Sequence, residues 1–475
     1  MGTYDISGRL YFFIDSLISK SPIFCPVFTN AISMRFLGAL TTALLYMQPA
    51  SAASAANNAT DEPTLPLSSD TTFNFQFLIA LGNALSGGSD IGPVLGAARN
   101  IVPGDMASYS AEFHALALAT KAQAEDPANA YDAVNVRDTW FSASHYFRRA
   151  DFYLHGNWSD PRLDSYWAEQ TAAFDRARAA LPFPNHRVRI PASSSSSSSG
   201  GGGGGNFTVE AIWYGVDDEP RRRPTLIVGN GFDAAQEDSY HYFVAAALAR
   251  GWNCITYEGP GQCTVRRDQD AGFIPDWERV VTPVVDYVLS EKAGRVDPDR
   301  LVLVGNSFGG YLAARAAAFE PRLSAAVLVD GVWDAYDGFR ALFPPEVVAL
   351  YEAGDHAAFD ERVLALRASG NLSTMAAWGV DQGLWSFRTR SPSALFTQGR
   401  AYHLRDVAHR IRVPVFVGDA AYDNSFPGQP AKVKEAIGDN ATLHRFEGTA
   451  GYHCQTAALQ ELSRTMFAWL GKTLG

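Results

Sequence analysis

The residue types and spacings of this chain that could do chemistry are a serine, a carboxylate and a histidine, in that order. Gly305-Asn306-Ser307-Phe308-Gly309, within "LVLVGNSFGGYLAARAA", is a G-x-S-x-G nucleophile elbow lying between an apolar strand and a helix. Small residues two before and two after the serine let the chain turn sharply, so that Ser307 is held in a strained conformation with its hydroxyl above the sheet edge. A serine hydroxyl is a weak nucleophile until a base takes its proton, and the base needs an acid to fix its tautomer. "VPVFVGDAAYDNSF" supplies Asp419 and Asp423 just past a later strand, and "GTAGYHCQ" supplies His453 before the last helix. Asp423 is the preferred acid because it lies in a loop several residues beyond the strand and can swing over the sheet edge; Asp419 is the alternative.

Acyl transfer also needs donors for the developing oxyanion. One is the N–H of the residue after the nucleophile, Phe308; the other comes from a turn after an earlier strand, "GNGFD", where Phe232 is the first choice and Gly231 the second. The same stretch, "TLIVGNGFDAA", fits a degenerate dinucleotide fingerprint with Glu258 as its ribose-binding acid. That reading leaves Ser307, Asp423 and His453 unexplained. Glu258, in "YEGPGQC", is then assigned to tying the oxyanion loop through backbone N–H groups or to lining the pocket. Asp334 and Asp337, in "GVWDAYD", are further pocket candidates, with helix-start carboxylates as the alternative.

These residues need a scaffold that brings several strand ends to one edge. From Pro224, short apolar strands alternate with helices, the pattern of a mostly parallel, doubly wound α/β sheet covered on both faces. A helical insertion spans 335–411, before "VPVFVGDA", and an amphipathic helix closes the chain. Ahead of the sheet, residues 72–185 read as a helical domain; "SHYFRRADFYL" and "SYWAEQTAAFDRARAAL" put apolar residues on one helix face. "HRVRIPA" and "FTVEAIWYGV" then form a hairpin whose ends are joined by the Ser/Gly tract 193–205, which is expected to be disordered. The catalytic domain is accordingly placed at 186–475.

The chain of 475 residues carries a net charge of -11, and its one dense basic run, Arg221–Arg223, sits beside Asp217, Asp218 and Glu219, so nucleic acid is excluded as a partner. Met34-Arg35, the apolar Phe36 to Met47 and small residues through Ala55 make a secretory signal peptide, with residues 1–55 as leader and 1–33 as an extension of the gene model. Five N-x-[ST] acceptors, at Asn58, Asn157, Asn206, Asn371 and Asn440, suit a secreted glycoprotein. No apolar run makes a stable membrane span. The cysteine spacing resembles no zinc site, and the chemistry requires no metal or organic cofactor.

On "YFRRADFYL", "GFDAAQED", "YEGPGQ", "GNSFGGYLAARAAAFEPRLSA", "DAAYDNSFPGQP" and "GYHCQ", the chain resembles a branch of the alpha/beta-hydrolase superfamily. That branch holds fungal secondary-metabolite hydrolases of the fusarin-hydrolase type, yellowish-green polyketide-shortening hydrolases and bacterial 2,6-dihydroxypseudooxynicotine hydrolase. The resemblance runs from about Tyr146 to the C-terminus. It implies an alpha/beta-hydrolase fold with Ser307 as nucleophile, Asp423 as acid and His453 as base, the helical domain and the insertion covering the site. It also implies a small-molecule substrate with an apolar or aromatic part, cleaved at an ester, an amide or a carbon–carbon bond beside a ketone. Cys263 departs from the glycine common in the family. An acyl-aminoacyl or dipeptidyl peptidase, for which no propeller-like repeat is present, and a non-catalytic binding protein on the same fold are the competing readings.

Overall fold

Apolar residues in unbroken runs, rather than in alternation, mark strands buried on both faces, and the computed structural model of the chain, which describes residues 63–192 and 206–475, assembles them into one eight-stranded sheet. Its strands are β1 (Asn185–Ala192), β2 (Phe207–Tyr214), β3 (Arg223–Gly229), β4 (Asn253–Glu258), β5 (Val296–Asn306), β6 (Ala325–Val329), β7 (Val415–Ala420) and β8 (Ala441–Phe446). They lie in the order β1-β2-β4-β3-β5-β6-β7-β8; β2 runs antiparallel to β1 and β4, and all the others are parallel. The leader, Asn58 and the Ser/Gly tract fall outside the described residues. Among the described residues, no helix is long and apolar enough to cross a membrane.

The period of two along the strands divides the interior into two layers. Ile227, Leu301, Leu303, Ala326 and Leu328 point to one face; Leu226, Val228, Val302, Val304, Val327 and Val329 point to the other. The helix Glu278–Ser290, with Val280, Val281, Val284, Val285 and Val288 buried, covers the first face beside the helix Gly309–Ala317. The C-terminal helix Leu459–Leu474 covers the second with Leu462, Met466 and Leu470.

Among the described residues, the N-terminal region forms five α-helices: α1 (Thr71–Asn83), α2 (Ile91–Asn100), α3 (Met106–Glu125), α4 (Ala133–Asp151) and α5 (Arg162–Ala179). They have a core of their own around Phe73, Phe77, Tyr109, Phe113, Tyr146 and Phe147. They are also welded to the sheet: Trp140 and Phe141 of α4 and Phe174 of α5 sit in the same layer as Ile212, Tyr214 and Phe243. The insertion is helical, running from Ala335–Ala341 through Thr374–Ser386 to Pro392–Gly399, and has its own small core around Tyr351, Phe359 and Phe396. Asp70 joins the two covers. Its Oδ1 caps α1 by accepting from Phe73 N at 2.8 Å, and its Oδ2 accepts from Thr374 Oγ1 of the insertion at 2.5 Å.

Candidate active site

Parallel pairing brings the carboxyl ends of successive strands to one edge, and the candidate residues gather there. β5 ends at Asn306, and Ser307 follows at φ 60°, in the left-handed region that a side chain rarely adopts. Its N–H donates to the Val329 carbonyl at the end of β6, and the helix Gly309–Ala317 leaves immediately. The flanking glycines are required by contact. A methyl at Gly309 would lie 2.9 Å from the Asn230 carbonyl oxygen, and one at Gly305 or Gly310 would collide with the backbone of Gly309 or Asp330.

His453 sits in a short 3-10 turn after β8, and its Nε2 lies 2.8 Å from Ser307 Oγ. Two carboxylates face its other nitrogen. Asp330 Oδ2 is 2.8 Å and Asp423 Oδ2 3.1 Å from Nδ1. Asp423 Oδ1 is fixed by the N–H groups of Ser425 (2.7 Å) and Phe426 (3.2 Å). Asp330 accepts from Cys454 N at 3.1 Å, and Gln455 Nε2 lies 3.4 Å from its Oδ1. These contacts hold Cys454 and Gln455 at φ 55° and 51°, a left-handed pair without glycine.

The sequence reading named Asp423 and passed over Asp330. The signal available was an acid directly at the carboxyl end of an apolar strand, "AAVLVD". Asp334 and Asp337, the pocket candidates of that segment, are turned elsewhere, Asp334 into the helix-start role given as the alternative. Asp334 Oδ1 caps the helix Ala335–Ala341 by accepting from Tyr336 N at 3.0 Å, and its Oδ2 pairs with Arg405 at 2.6 Å. Asp337 pairs with Arg340 at 3.3 Å. Neither lines the cavity, although their neighbours Ala335 and Gly338 do. Asp419 pairs with Arg445 at 2.7 Å and is not among the groups at His453.

The electrostatics follow from burial and crowding. Burial disfavours the charged imidazole of His453, but Asp423 and Asp330 outweigh it and hold the ring's pKa well above 6.5. Burial, reinforced by the Asp423 charge, raises Asp330. Asp423 is buried too, yet His453 and the two backbone donors bring it below the usual carboxylate range. Burial pushes the Cys454 thiol up to about 12. Asp330, His453 and Cys454 bring three potential metal donors within 4.8 Å of one another. They fit a metal poorly: Nδ1 already faces two carboxylates, and burial keeps the thiol protonated.

The candidate oxyanion loop is shaped from outside. Gln262 Nε2 donates to the carbonyls of Asn230 (2.7 Å) and Gly231 (3.0 Å), and Gln382 of the insertion donates to that of Phe232 (3.1 Å). Arg148 Nη2, from α4, donates to that of Asp233. With these carbonyls drawn away, the Phe232 and Phe308 N–H groups have no acceptor in the turns and loops of the described residues. Gly231 is packed against the elbow: a methyl there would lie 2.7 Å from Phe308 N. Glu258 does not line the cavity. Its Oε1 accepts from Gln236 N at 2.8 Å and its Oε2 from Thr264 N at 2.7 Å, tying the oxyanion loop to the segment after β4. Fully buried and away from the cavity, Glu258 is not presented to a ribose. Burial, with the Glu237 charge behind it, raises Glu258 to about 7.

A cavity opens over Ser307 and His453, enclosing about 1370 Å³ with the solvent at its mouth included. Its roof comes from α1 (Phe75, Gln76, Ile79), the end of α4 (Arg149, Phe152) and the insertion (Phe339, Leu342, Trp378). The Phe75 ring centroid lies 6.3 Å from that of His453. Gly82 sets α1 directly on the histidine loop, since a methyl there would lie 2.6 Å from the Thr456 carbonyl oxygen. The lining is mostly apolar. Its polar groups apart from Ser307 and His453 include Gln76, Arg149, Asp233 and Asp238, and Arg149 Nη1 donates to Gln76 Oε1 at 2.7 Å.

Comparison with known proteins agrees with this architecture. Residues 226–457 match the Alpha/beta hydrolase family. Hydrolase LUC6 of a Fusarium species is 31% identical over 419 residues, covering 85% of this chain and 97% of the relative. The 20-hydroxy-prefusarin hydrolase FUS2 of Gibberella moniliformis is 29% identical over 416 residues, covering 84% and 96%. Among solved structures, 2,6-dihydroxy-pseudo-oxynicotine hydrolase superposes with a TM-score of 0.59 at 19% identity, covering 83% of this chain and 95% of the other. That likeness extends over the helical region as well as the sheet.

Proposed function

We propose that this chain, which belongs to the alpha/beta-hydrolase family, is a serine hydrolase that works through an acyl-enzyme. The observation that carries the reading is the continuous line from the carboxylates through Nδ1 and Nε2 of His453 to Ser307 Oγ, 2.8 Å away. Ser307 Oγ bonds to a carbonyl carbon while Nε2 takes its proton. The oxyanion is received by the N–H groups of Phe308 and Phe232, with Gly231 as the alternative to Phe232. The imidazolium returns the proton to the leaving group, and a water, deprotonated by the same nitrogen, then splits the acyl-enzyme. For a ketone-adjacent carbon–carbon bond, the leaving group is an enolate that His453 protonates.

The substrate we assign is a small molecule with an extended apolar or aromatic part, of the polyketide-like kind that the name of the Gibberella relative points to. Support comes from the roof: Phe75, Phe152, Phe339 and Trp378 offer ring faces to a planar chain, and a cavity of this kind suits one small ligand. Secretion is proposed on the signal-like segment at Met34–Ala55; Asn157, Asn206, Asn371 and Asn440 are all exposed, as glycan acceptors must be.

Fluorophosphonate labelling of the secreted protein, with the tag located by peptide mass spectrometry, tests the reading. A tag at Ser307 that vanishes in Ser307→Ala supports it. A folded wild-type protein that takes no tag and hydrolyses no ester, amide or β-diketone overturns it in favour of a binding protein.

A further inference from the structure

A histidine that serves as a base needs one acceptor at Nδ1, and here two carboxylates from consecutive strands converge on that atom. Asp330 follows β6 and Asp423 lies in the loop after β7, at 2.8 and 3.1 Å. The nearer of the two is fully buried and belongs to the sheet itself: β6 pairs with β5 through Asn306 and Val329, so Asp330 stands level with Ser307. Asp423 instead comes from a loop and is held by the turn that begins at Ser425.

We propose that Asp330 is a second acid of the relay: it shares the Nδ1–H of His453 with Asp423, and either carboxylate alone suffices to keep Nε2 facing Ser307. The proposal rests on the serine-hydrolase reading for its kinetic consequences. Asp330 Oδ2 accepts from Cys454 N and faces Nδ1 with the same oxygen, while its Oδ1 faces Gln455 Nε2; a purely structural role predicts that the ring does not register the loss of its charge. The imidazolium that forms as Ser307 loses its proton is stabilised by both charges. Asp330 is thus a positioning residue, acting on the reaction through His453.

Other groups face the ring. Asp233, in the oxyanion loop, interacts with His453 through its charge; the Cys454 thiol is adjacent in the chain. Beyond it the Tyr242 hydroxyl is engaged with Thr456 Oγ1 at 2.9 Å. The remaining neighbours, Phe75 and Phe426, are apolar. Of these groups, Asp330 and Asp423 are the ones that contact Nδ1, so their removal is the perturbation the ring should register.

The test uses the full chain, a fluorophosphonate as probe, and Asp330→Asn, Asp423→Asn and the double variant. Asparagine keeps the shape and one acceptor oxygen and removes the charge. Each single variant is expected to lower the inactivation rate constant by no more than ~10²-fold, and the double by the ~10⁴-fold that loss of a sole acid costs a triad. In Asp330→Asn the acid limb of the rate profile moves to lower pH, because one of the charges that favour the imidazolium is gone. Nitrogen NMR of histidine-labelled protein reads the same ring without any reaction: Asp423→Asn retains the Nδ1–H tautomer and the double variant loses it.

The proposal is overturned if Asp423→Asn alone falls as far as the double variant, or if Asp330→Asn leaves both the acid limb and the ring titration as in wild type. Failure of the hydrolase reading looks different: the wild type takes no tag, while the NMR comparison still decides whether two acids hold the ring.

Discussion

The sheet edge and the helical roof over it are built by different rules. At the edge, each reacting group is fixed by its own short segment: Ser307 by glycines that its neighbours would otherwise strike, His453 by two left-handed residues, the oxyanion loop by Gln262. In the roof, no short motif defines the cavity; α1, α4 and the insertion contribute single side chains, and Asp70 and Thr374 clasp two of these elements together. Chemistry therefore resides in local geometry that a single atom can break, whereas selectivity resides in packing that a single side chain only modulates.

The sharpest division between the two regions is at the nucleophile. Ser307→Ala should cost about 10⁶-fold in turnover of whatever ester the wild type accepts, while leaving ligand-induced thermal shifts in place. Abolition of binding together with turnover would show that edge and roof are not separable. Gly231→Ala follows in size. Its methyl would press on Phe308 N at 2.7 Å and on the Asn306 carbonyl oxygen at 2.8 Å, so the oxyanion donors part. The loss expected in kcat is about 10² to 10³-fold, measured against an unchanged KM. A rise in KM alone would move this loop from the chemistry to the binding surface.

The roof predicts the opposite split. Phe75→Ala or Trp378→Ala should raise KM for a bulky aromatic ester roughly tenfold, a loss of the ~1 to 2 kcal/mol that one ring face supplies. The rate of fluorophosphonate labelling should stay within about twofold, because the small probe does not need the roof. Comparable losses on both reagents for Phe75→Ala would mean that α1 also holds His453 in place, through the close approach of Gly82 to Thr456.

What could be read from the sequence divides along the same boundary. The elbow, the Phe232 loop and the histidine before the last helix are legible because strain and close approach demand particular residues at fixed offsets. The strands and their order along the chain are legible from apolar runs. Asp330 is legible only as an acid at a strand end; its place beside Ser307 depends on the register of β5 against β6, which exists only once the two strands pair. Asp334 and Asp337 illustrate the reverse: acids near a strand end that become a helix cap and an arginine partner when the chain folds. The roof was legible as helical from periodicity and as a cover only through the family resemblance, since the contacts that set it over the site are single residues far apart in sequence.

The smallest expected effect is on the pH profile, and it tests whether the edge is electrostatically self-contained. Under the proposed mechanism Ser307 is activated only by neutral His453, so the rate should rise with pH as the ring loses its proton. Burial lowers that pKa, but the two carboxylates outweigh it, so the acid limb of kcat/KM should lie above the ordinary imidazole value of 6.5. Asp337→Asn, which alters a charge on the insertion paired with Arg340 and away from the cavity, should leave that limb and the rate unchanged. If the limb moves with Asp337, the charges of the insertion reach the ring, and the line between a chemical edge and a passive cover has to be redrawn through the helix Ala335–Ala341.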